Sequence, residues 1–165
     1  MKPLDRIDYQ IVRLLRNNAR LSNKELAAKV GLAPSTCLVR TRLLQQEGVI
    51  TGFRAEVDAA KLGVGLQAMI AVRLKRHYKP DVEAFRQHAL DLPEVVRLYH
   101  VAGPIDFLAH VWARDPEHLR DLAMTAFTAR EEVSHIETEL IFEHVSSDEL
   151  PPFLDAGDAV LRGSE

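Results

Sequence analysis

The chain contains a single cysteine, Cys37, among its 165 residues. One thiol excludes an intramolecular disulfide and a four-thiolate zinc site, and it is typical of a protein in a reducing compartment. The sequence also lacks a long apolar run, because its hydrophobic stretches are of strand length and are interrupted by polar residues. We therefore expect neither a secretory signal nor a membrane-spanning helix, and we expect a cytoplasmic protein.

Motifs of common catalytic sites are missing as well. The sequence has no serine elbow, no phosphate-binding glycine loop and no metalloprotease helix. Histidine is absent from the first part of the chain, and the spacing of the seven histidines in the second part matches no metal-ligand signature. These histidines are His77, His88, His100, His110, His118, His135 and His144. The sequence thus predicts no catalytic residue, no metal site and no cofactor.

Charge is unevenly distributed, although the formal net charge is only -3. Residues 1–60 carry a net charge of +4, and the rest of the chain carries -7. A basic segment on an acidic body is typical of a protein that binds phosphate groups through one domain. Chance is the alternative explanation, because the excess is modest. The charge distribution therefore favours a nucleic-acid partner but does not establish one.

Three short helices are predicted in the basic segment. Residues 4–17 place apolar side chains at helical spacing. A capping box that starts at Ser22 predicts a second helix over residues 23–30, which a glycine then ends. Pro34 suits the first turn of a third helix. Residues 48–57 then follow a β-like pattern, which predicts a short strand or wing.

Two helices joined by a glycine turn over residues 23–42 are typical of a helix-turn-helix motif. The second helix of such a motif presents side chains to base edges in a DNA groove. Arginine binds guanine, hydroxyl groups reach phosphates or bases, and polar residues of the first helix contact the backbone. The candidate DNA-binding residues are Asn23, Lys24, Ser35, Thr36, Val39, Arg40 and Arg42. The alternative is a small helical bundle with an ordinary solvated face.

The segment 58–66 contains glycines and is predicted to be a hinge. From residue 67 to 145 the order strand, helix, strand occurs twice, which predicts a ferredoxin-like βαββαβ domain with an antiparallel sheet backed by two helices. Residues 1–57 are then a winged helix-turn-helix domain, and the fold class is α+β. Residues 146–165 form an acidic, proline-containing tail.

One face of such a sheet is left without a cover. A second copy of the chain is the simplest cover, so we expect a homodimer that persists when residues 1–60 are deleted. The sheet face in contact would be the one with Val72, Leu98, Ala109 and Leu140, or its alternate.

Residues 4–145 resemble the leucine-responsive regulatory protein family, also called Lrp/AsnC or feast/famine regulators. The matching residues are Leu4-Asp5, Asp8, Arg20-Leu21-Ser22, Gly31-Leu32, Gly48-Val49-Ile50, Leu62-Gly63, Val101-Ala102-Gly103 and Asp106-Phe107. The resemblance implies a transcriptional regulator that binds double-stranded DNA in a sequence-specific manner. It also implies a second domain that dimerises through its sheets, often forms octamers, and binds a small molecule, usually an amino acid, between subunits.

The turn between the two halves of the second domain is the candidate effector site. Gly103 allows close approach of a ligand, and Asp106 can accept a hydrogen bond from its ammonium group. Phe107 and Ile136 would supply an apolar wall, with Thr138 opposite. The alternative is a plain turn in which Asp106 is a buried or capping residue.

Several residues depart from the family pattern. Ala33 stands at the start of the third helix where the family usually has a capping serine. Val39 and Leu43 occupy positions that are often basic, so fewer contacts to DNA are available. Pro104 and Ile105 replace the usual acidic and aromatic residues of the turn. Leucine or asparagine is therefore not assumed as the effector.

One enzyme class shares this plan. Sirohaem decarboxylases resemble the same two-domain arrangement and use histidines in the second domain, so the fold alone leaves that alternative open. The intact basic first domain favours the regulator.

Overall fold

The computed structural model describes residues 3–147, which divide into two units. One unit comprises residues 3–56 and 145–147, and the other comprises Val57–His144. Most of the tail predicted over residues 146–165 lies outside the described residues. None of the described helices is long and apolar enough to cross a membrane.

The first unit contains the three predicted helices: α1 (Arg6–Asn17), α2 (Asn23–Val30) and α3 (Pro34–Gln46). The capping box at Ser22 is present and starts α2, while Gly31 ends that helix in the left-handed region with a φ of 70°. A second capping box, between Asp5 and Asp8, starts α1. Ala33 offers no side-chain cap to α3, as the sequence indicated.

The helices pack around a small apolar core. Ile11 of α1, Leu26 of α2 and Cys37 of α3 are almost fully buried at its centre. Because each helix contributes one apolar stripe, the opposite sides of the helices stay exposed. These exposed sides include most of the first turns of α3.

The strand expected over residues 48–57 does not form, because these described residues have no regular strand structure. Val49 and Ile50 instead pack against the helical core. The backbone N–H of Ile50 donates to the carbonyl oxygen of Leu44 at 3.0 Å, which ties the segment to the end of α3. A β-like pattern forms a strand only when a second strand supplies hydrogen-bond partners, so the segment is an extended loop.

The second unit has the predicted ferredoxin-like order. Its elements are β1 (Leu66–Leu74), α4 (Lys79–Asp91), β2 (Val95–His100), β3 (Phe107–Ala113), α5 (Pro116–Leu122) and β4 (Val133–Ile141). The strands pair in the order β2-β3-β1-β4, and every pairing is antiparallel. α5 continues into a π-helical turn over Ala123–Thr128. The sequence pattern predicts that the last strand continues to about residue 145, but β4 ends at Ile141.

The two faces of the sheet have different environments. Ile70, Val72 and Ala109 are buried against Phe85 of α4 and Phe127 of the π-helical turn. Since side chains alternate along a strand, the residues between them lie on the opposite face. We call this the open sheet face and define it by Met69, Ala71, Tyr99, Leu108, His110 and Trp112. Val72 and Ala109 therefore lie on the face that the helices cover.

Candidate functional site

The exposed surface of α3 contains most of the predicted DNA-binding residues. Ser35 and Thr36 are exposed in the first turn, and Arg42 is exposed one turn and a half further on. Val39 lies between them with 56% of its surface exposed. Lys24 of α2 is exposed as well. This surface is basic and has hydroxyl groups near its start, which suits contacts to phosphates and base edges.

Arg40 points away from this surface and is held by α1. Its Nη1 donates to Oδ2 of Asp5 at 2.7 Å and to Oδ1 of Asp8 at 2.8 Å. The same two carboxylates form the capping box of α1, because the Asp8 N–H donates to Asp5 and the Asp5 N–H donates to Asp8. One guanidinium thus joins α3 to the start of α1. Sequence reasoning missed this contact, since only helix packing brings the three residues together.

The hydrogen bonds of this network lower the pKa of Asp5. The backbone N–H of Asp8 and the guanidinium of Arg40 hold the pKa of Asp5 below its ordinary value of 3.8. A carboxylate whose pKa is lower in the folded state stabilises that state above the unfolded pKa. The contribution of Asp5 is therefore complete above pH 3.8 and is lost as the pH falls through the lower folded value.

Asn23 also has a structural contact. Its side-chain amide donates to the carbonyl oxygen of Pro34 at 2.8 Å, which joins the start of α2 to the start of α3. This bond lies beside Ala33, where no side chain caps the helix. Asn23 thus helps to fix the first turn of α3.

The second unit contains a cavity of about 620 Å³ beside the turn that precedes β3. Gly103, Pro104 and Asp106 line it from the turn, and Ser134 and His135 line it from the start of β4. The end of β1 forms the remaining wall. Two of the five predicted effector residues, Gly103 and Asp106, therefore lie at one cavity.

Asp106 is the buried acid of this cavity, with only 2% of its surface exposed. Its Oδ2 accepts a hydrogen bond from the backbone N–H of Leu74 at 2.7 Å. Its Oδ1 has no aligned hydrogen-bond donor among the described residues, although Nε2 of the exposed His77 lies 2.8 Å away and forms an ion-pair contact. A buried carboxylate oxygen without a full set of donors is suited to accept one from a ligand.

The other three predicted effector residues do not line this cavity. Phe107 is fully buried in the core, where its ring lies 4.9 Å from that of Phe85 and 4.7 Å from that of His100. Ile136 packs beside the same core, and Thr138 pairs with Ile70 of β1 on the face that the helices cover. Phe107 supports the turn from inside and cannot form an apolar wall for a ligand there.

A polar cluster lies on the two central strands of the open sheet face, near the start of β1 and the end of β3. The Gln67 side-chain oxygen accepts from Nε2 of His110 at 2.9 Å and from Nε1 of Trp112 at 3.2 Å. Partial burial, followed by the charges of Arg97 and His144, lowers the pKa of His110 and favours its neutral form. Within residues 3–147 no three side chains of metal-ligand type come together.

Comparisons with known proteins give matches along most of the chain. Residues 67–151 match the family described as the Lrp/AsnC ligand binding domain, and residues 4–51 match a winged helix-turn-helix DNA-binding family. The HTH-type transcriptional regulator AldR of Mycolicibacterium smegmatis is 44% identical over 144 residues, which cover 87% of this chain and 84% of that protein. The leucine-responsive regulatory protein of Rhizobium meliloti is 36% identical over 142 residues, which cover 86% of this chain and 91% of that protein.

A solved structure is similar over nearly the whole chain. It is a transcriptional regulator of Neisseria meningitidis in complex with L-Met, with a TM-score of 0.83 and 27% identity over 92% of this chain and 99% of that chain. The named relatives are all transcriptional regulators. They give no support to the sirohaem decarboxylase alternative.

Two arginines of α3 should differ in their effect on stability. Replacing Arg40 with Gln leaves the two acids without their common cation, which should lower the free energy of unfolding of the first unit by about 1 kcal/mol. Replacing the exposed Arg42 with Gln should change it by less than about 0.5 kcal/mol. Urea unfolding followed by the helical circular dichroism signal measures both. The two variants and the native protein should converge as the pH falls below 3.8, and equal stability of the two variants at neutral pH would contradict the structural role of Arg40.

Proposed function

Because the chain belongs to the Lrp/AsnC family of transcriptional regulators, we propose that it binds operator DNA through α3 and that a small molecule in the cavity at Asp106 modulates this binding or the assembly. The observation that carries the proposal is the buried, incompletely bonded Asp106 carboxylate in a chain whose separate basic unit exposes a helix-turn-helix surface. Such a protein acts where the DNA is, so we place it in the cytoplasm.

Specific contacts to bases are assigned to Arg42, with Ser35 and Thr36 on phosphates or base edges. Arginine has the donor geometry to bind guanine at two positions, and the exposed methyl groups of Val39 can contact the methyl group of thymine. Lys24 adds a contact to the backbone. Asn23 and Arg40, whose side chains are bonded within the unit, act by positioning α3.

A second copy of the chain is proposed as the partner of the open sheet face. Met69, Leu108 and Trp112 are only partly buried there in the single chain. Their apolar surface favours contact with a matching surface. The opposite face of the sheet is already packed against α4 and the π-helical turn.

The charges on this face select one arrangement of the two copies. The strand register puts Arg97 on β2 at one edge of the face, and Glu137 and Glu139 on β4 at the other edge. A two-fold axis parallel to the strands places β2 over β4 of the partner and brings opposite charges together. An axis across the strands would oppose like charges, which is unfavourable. A dimer of this kind has two helix-turn-helix domains, which suits binding to a pseudo-palindromic operator.

The cavity at Asp106 is assigned to a small-molecule effector, of which an amino acid is the first candidate. Its ammonium group would supply the donor that Oδ1 of Asp106 lacks. Gly103 lets the ligand approach the backbone of the turn. Binding changes DNA affinity or assembly only if the ligand prefers one arrangement of subunits to another.

DNA binding is tested with Arg42→Gln, and an operator selected from a random duplex library serves as the probe. Loss of one arginine contact to a base should weaken specific binding by about 1–3 kcal/mol, which is roughly 5-fold to 150-fold. Arg120→Gln, an exposed change on α5, is the matched control and should bind as the native protein does. The affinity of the native protein and of the control variant for the operator should fall steeply as the salt concentration rises. Equal affinity of Arg42→Gln and the control in a gel-shift assay would refute the role of Arg42.

The dimer is tested with Leu108→Glu. Leu108 lies on β3, one of the two central strands of the open sheet face, so a carboxylate there should be buried on association and this variant should sediment as a smaller species than the native protein. Ala84→Glu, at an exposed position of α4, is the control and should keep the native assembly. Circular dichroism confirms that both variants are folded. Native-like sedimentation of folded Leu108→Glu would rule out this face as the interface.

Effector binding is tested by thermal shift with amino acids and related metabolites. A ligand at one hundred times its Kd should add about 2.7 kcal/mol to the stability of the native protein. Asp106→Asn has the same shape but no charge, so it should lose the response while remaining folded. Asp121→Asn, an exposed change on α5, should keep it. If no compound stabilises the native protein, or if Asp106→Asn responds equally to every hit, the cavity has no sensing role.

A further inference from the structure

The cavity at Asp106 is strongly basic. Arg73, Lys75 and Arg76, at the end of β1 and just after it, line one side, and two histidines add further nitrogen atoms. Among the described residues that line the cavity, Asp106 is the single acid. Three permanent cations therefore face one carboxylate, so the cavity has an excess of positive charge.

Nearby acids compensate only part of this excess. Arg76 forms an ion pair with Asp81 at 3.2 Å, and its guanidinium lies 5.9 Å from the centre of the Tyr78 ring. Arg73 and Lys75 form no ion pair within residues 3–147. Both side chains are exposed in the single chain, and both residues line the same cavity as Asp106.

The carboxylate of Asp106 fixes where the positive end of a ligand lies. In the free chain, Nε2 of His77 occupies the position 2.8 Å from Oδ1, but the ring is largely exposed and leaves Oδ1 without an aligned hydrogen bond. A primary ammonium group has three donors and can align one with this oxygen. A ligand ammonium would thus replace the ring of His77 and complete the bonding of the buried acid.

We propose that this cavity binds an α-amino acid with an acidic side chain, of the glutamate and aspartate class. Its ammonium group pairs with Asp106, and its two carboxylates pair with Arg73, Lys75 and Arg76. A neutral amino acid brings only one carboxylate, which leaves a cation of the cavity without a partner. The inference rests on the proposed effector function of the same cavity and specifies the chemical class of the effector.

The test measures binding by calorimetry to the full-length chain, with five ligands in the same buffer. Glutamate and aspartate are compared with glutamine and asparagine, which have nearly the same shape but no side-chain charge. Glutarate carries both carboxylates but no ammonium group. The acidic amino acids should bind at least about tenfold more tightly than their amides, which is the factor that one charge-assisted hydrogen bond supplies. Glutarate should also bind at least about tenfold more weakly than glutamate, since it cannot pair with Asp106.

Variants identify the side chains that are responsible for the preference for acidic amino acids. Arg73→Gln and Lys75→Gln should each reduce the preference for glutamate over glutamine, because each removes a cation from the cavity. Arg86→Gln, an exposed change on α4 away from the cavity, should leave the preference unchanged. A preference that persists in both cavity variants would refute the proposed carboxylate contacts.

The outcomes separate this inference from the proposed function. If glutamine or asparagine binds as tightly as the corresponding acid, the effector function stands and the acidic class is wrong. If glutarate equals glutamate, Asp106 does not bind the ammonium group and the inference fails. If none of the four amino acids binds and the thermal-shift screen finds no other ligand, the proposed effector function fails together with this inference.

Discussion

The side chain and backbone of the buried residue Asp106 together connect the end of β1, the end of β2 and the turn before β3. Its Oδ2 accepts from the N–H of Leu74 at the end of β1, and its own N–H donates to the carbonyl oxygen of Val72 on the same strand. Its carbonyl oxygen accepts from the N–H of Val101, just after β2. The turn before β3 is therefore fixed to the central strand. The remaining oxygen lies 2.8 Å from Nε2 of His77, which also lines the cavity, so one residue both orders the sheet and contributes to the site.

This double role limits what substitution can do at the site. A buried acid that loses one partner costs free energy, because desolvation is no longer offset. The contact with Leu74 must therefore be kept while the contact with a ligand is varied. An amide in place of the carboxylate keeps most of the shape and some of the hydrogen bonding, whereas a small apolar residue would disturb the sheet and the cavity together.

Local sequence signals predicted the elements of the fold better than the contacts between them. The capping box at Ser22 and the glycine after α2 depend on neighbours in the chain, so the bounds of that helix were predictable. The partners of Arg40 lie more than thirty positions away on α1, and only the packing of two helices brings them together. Phe107 was predictable as a strand residue, but alternation alone does not say which face of a sheet the helices cover. The segment after Gly48 had a strand pattern and no partner strand.

Cys37 adds a way of observing the first domain by itself. This thiol is the single one in the sequence and has no exposed surface, since it lies at the centre of the three-helix core. A thiol reagent can reach it only when that core opens, whether or not the second domain remains folded. The rate of its alkylation in mild denaturant therefore reports the opening free energy of the helix-turn-helix unit in the intact protein. The same measurement in the presence of DNA or an effector would show how much each one raises the opening free energy of that unit.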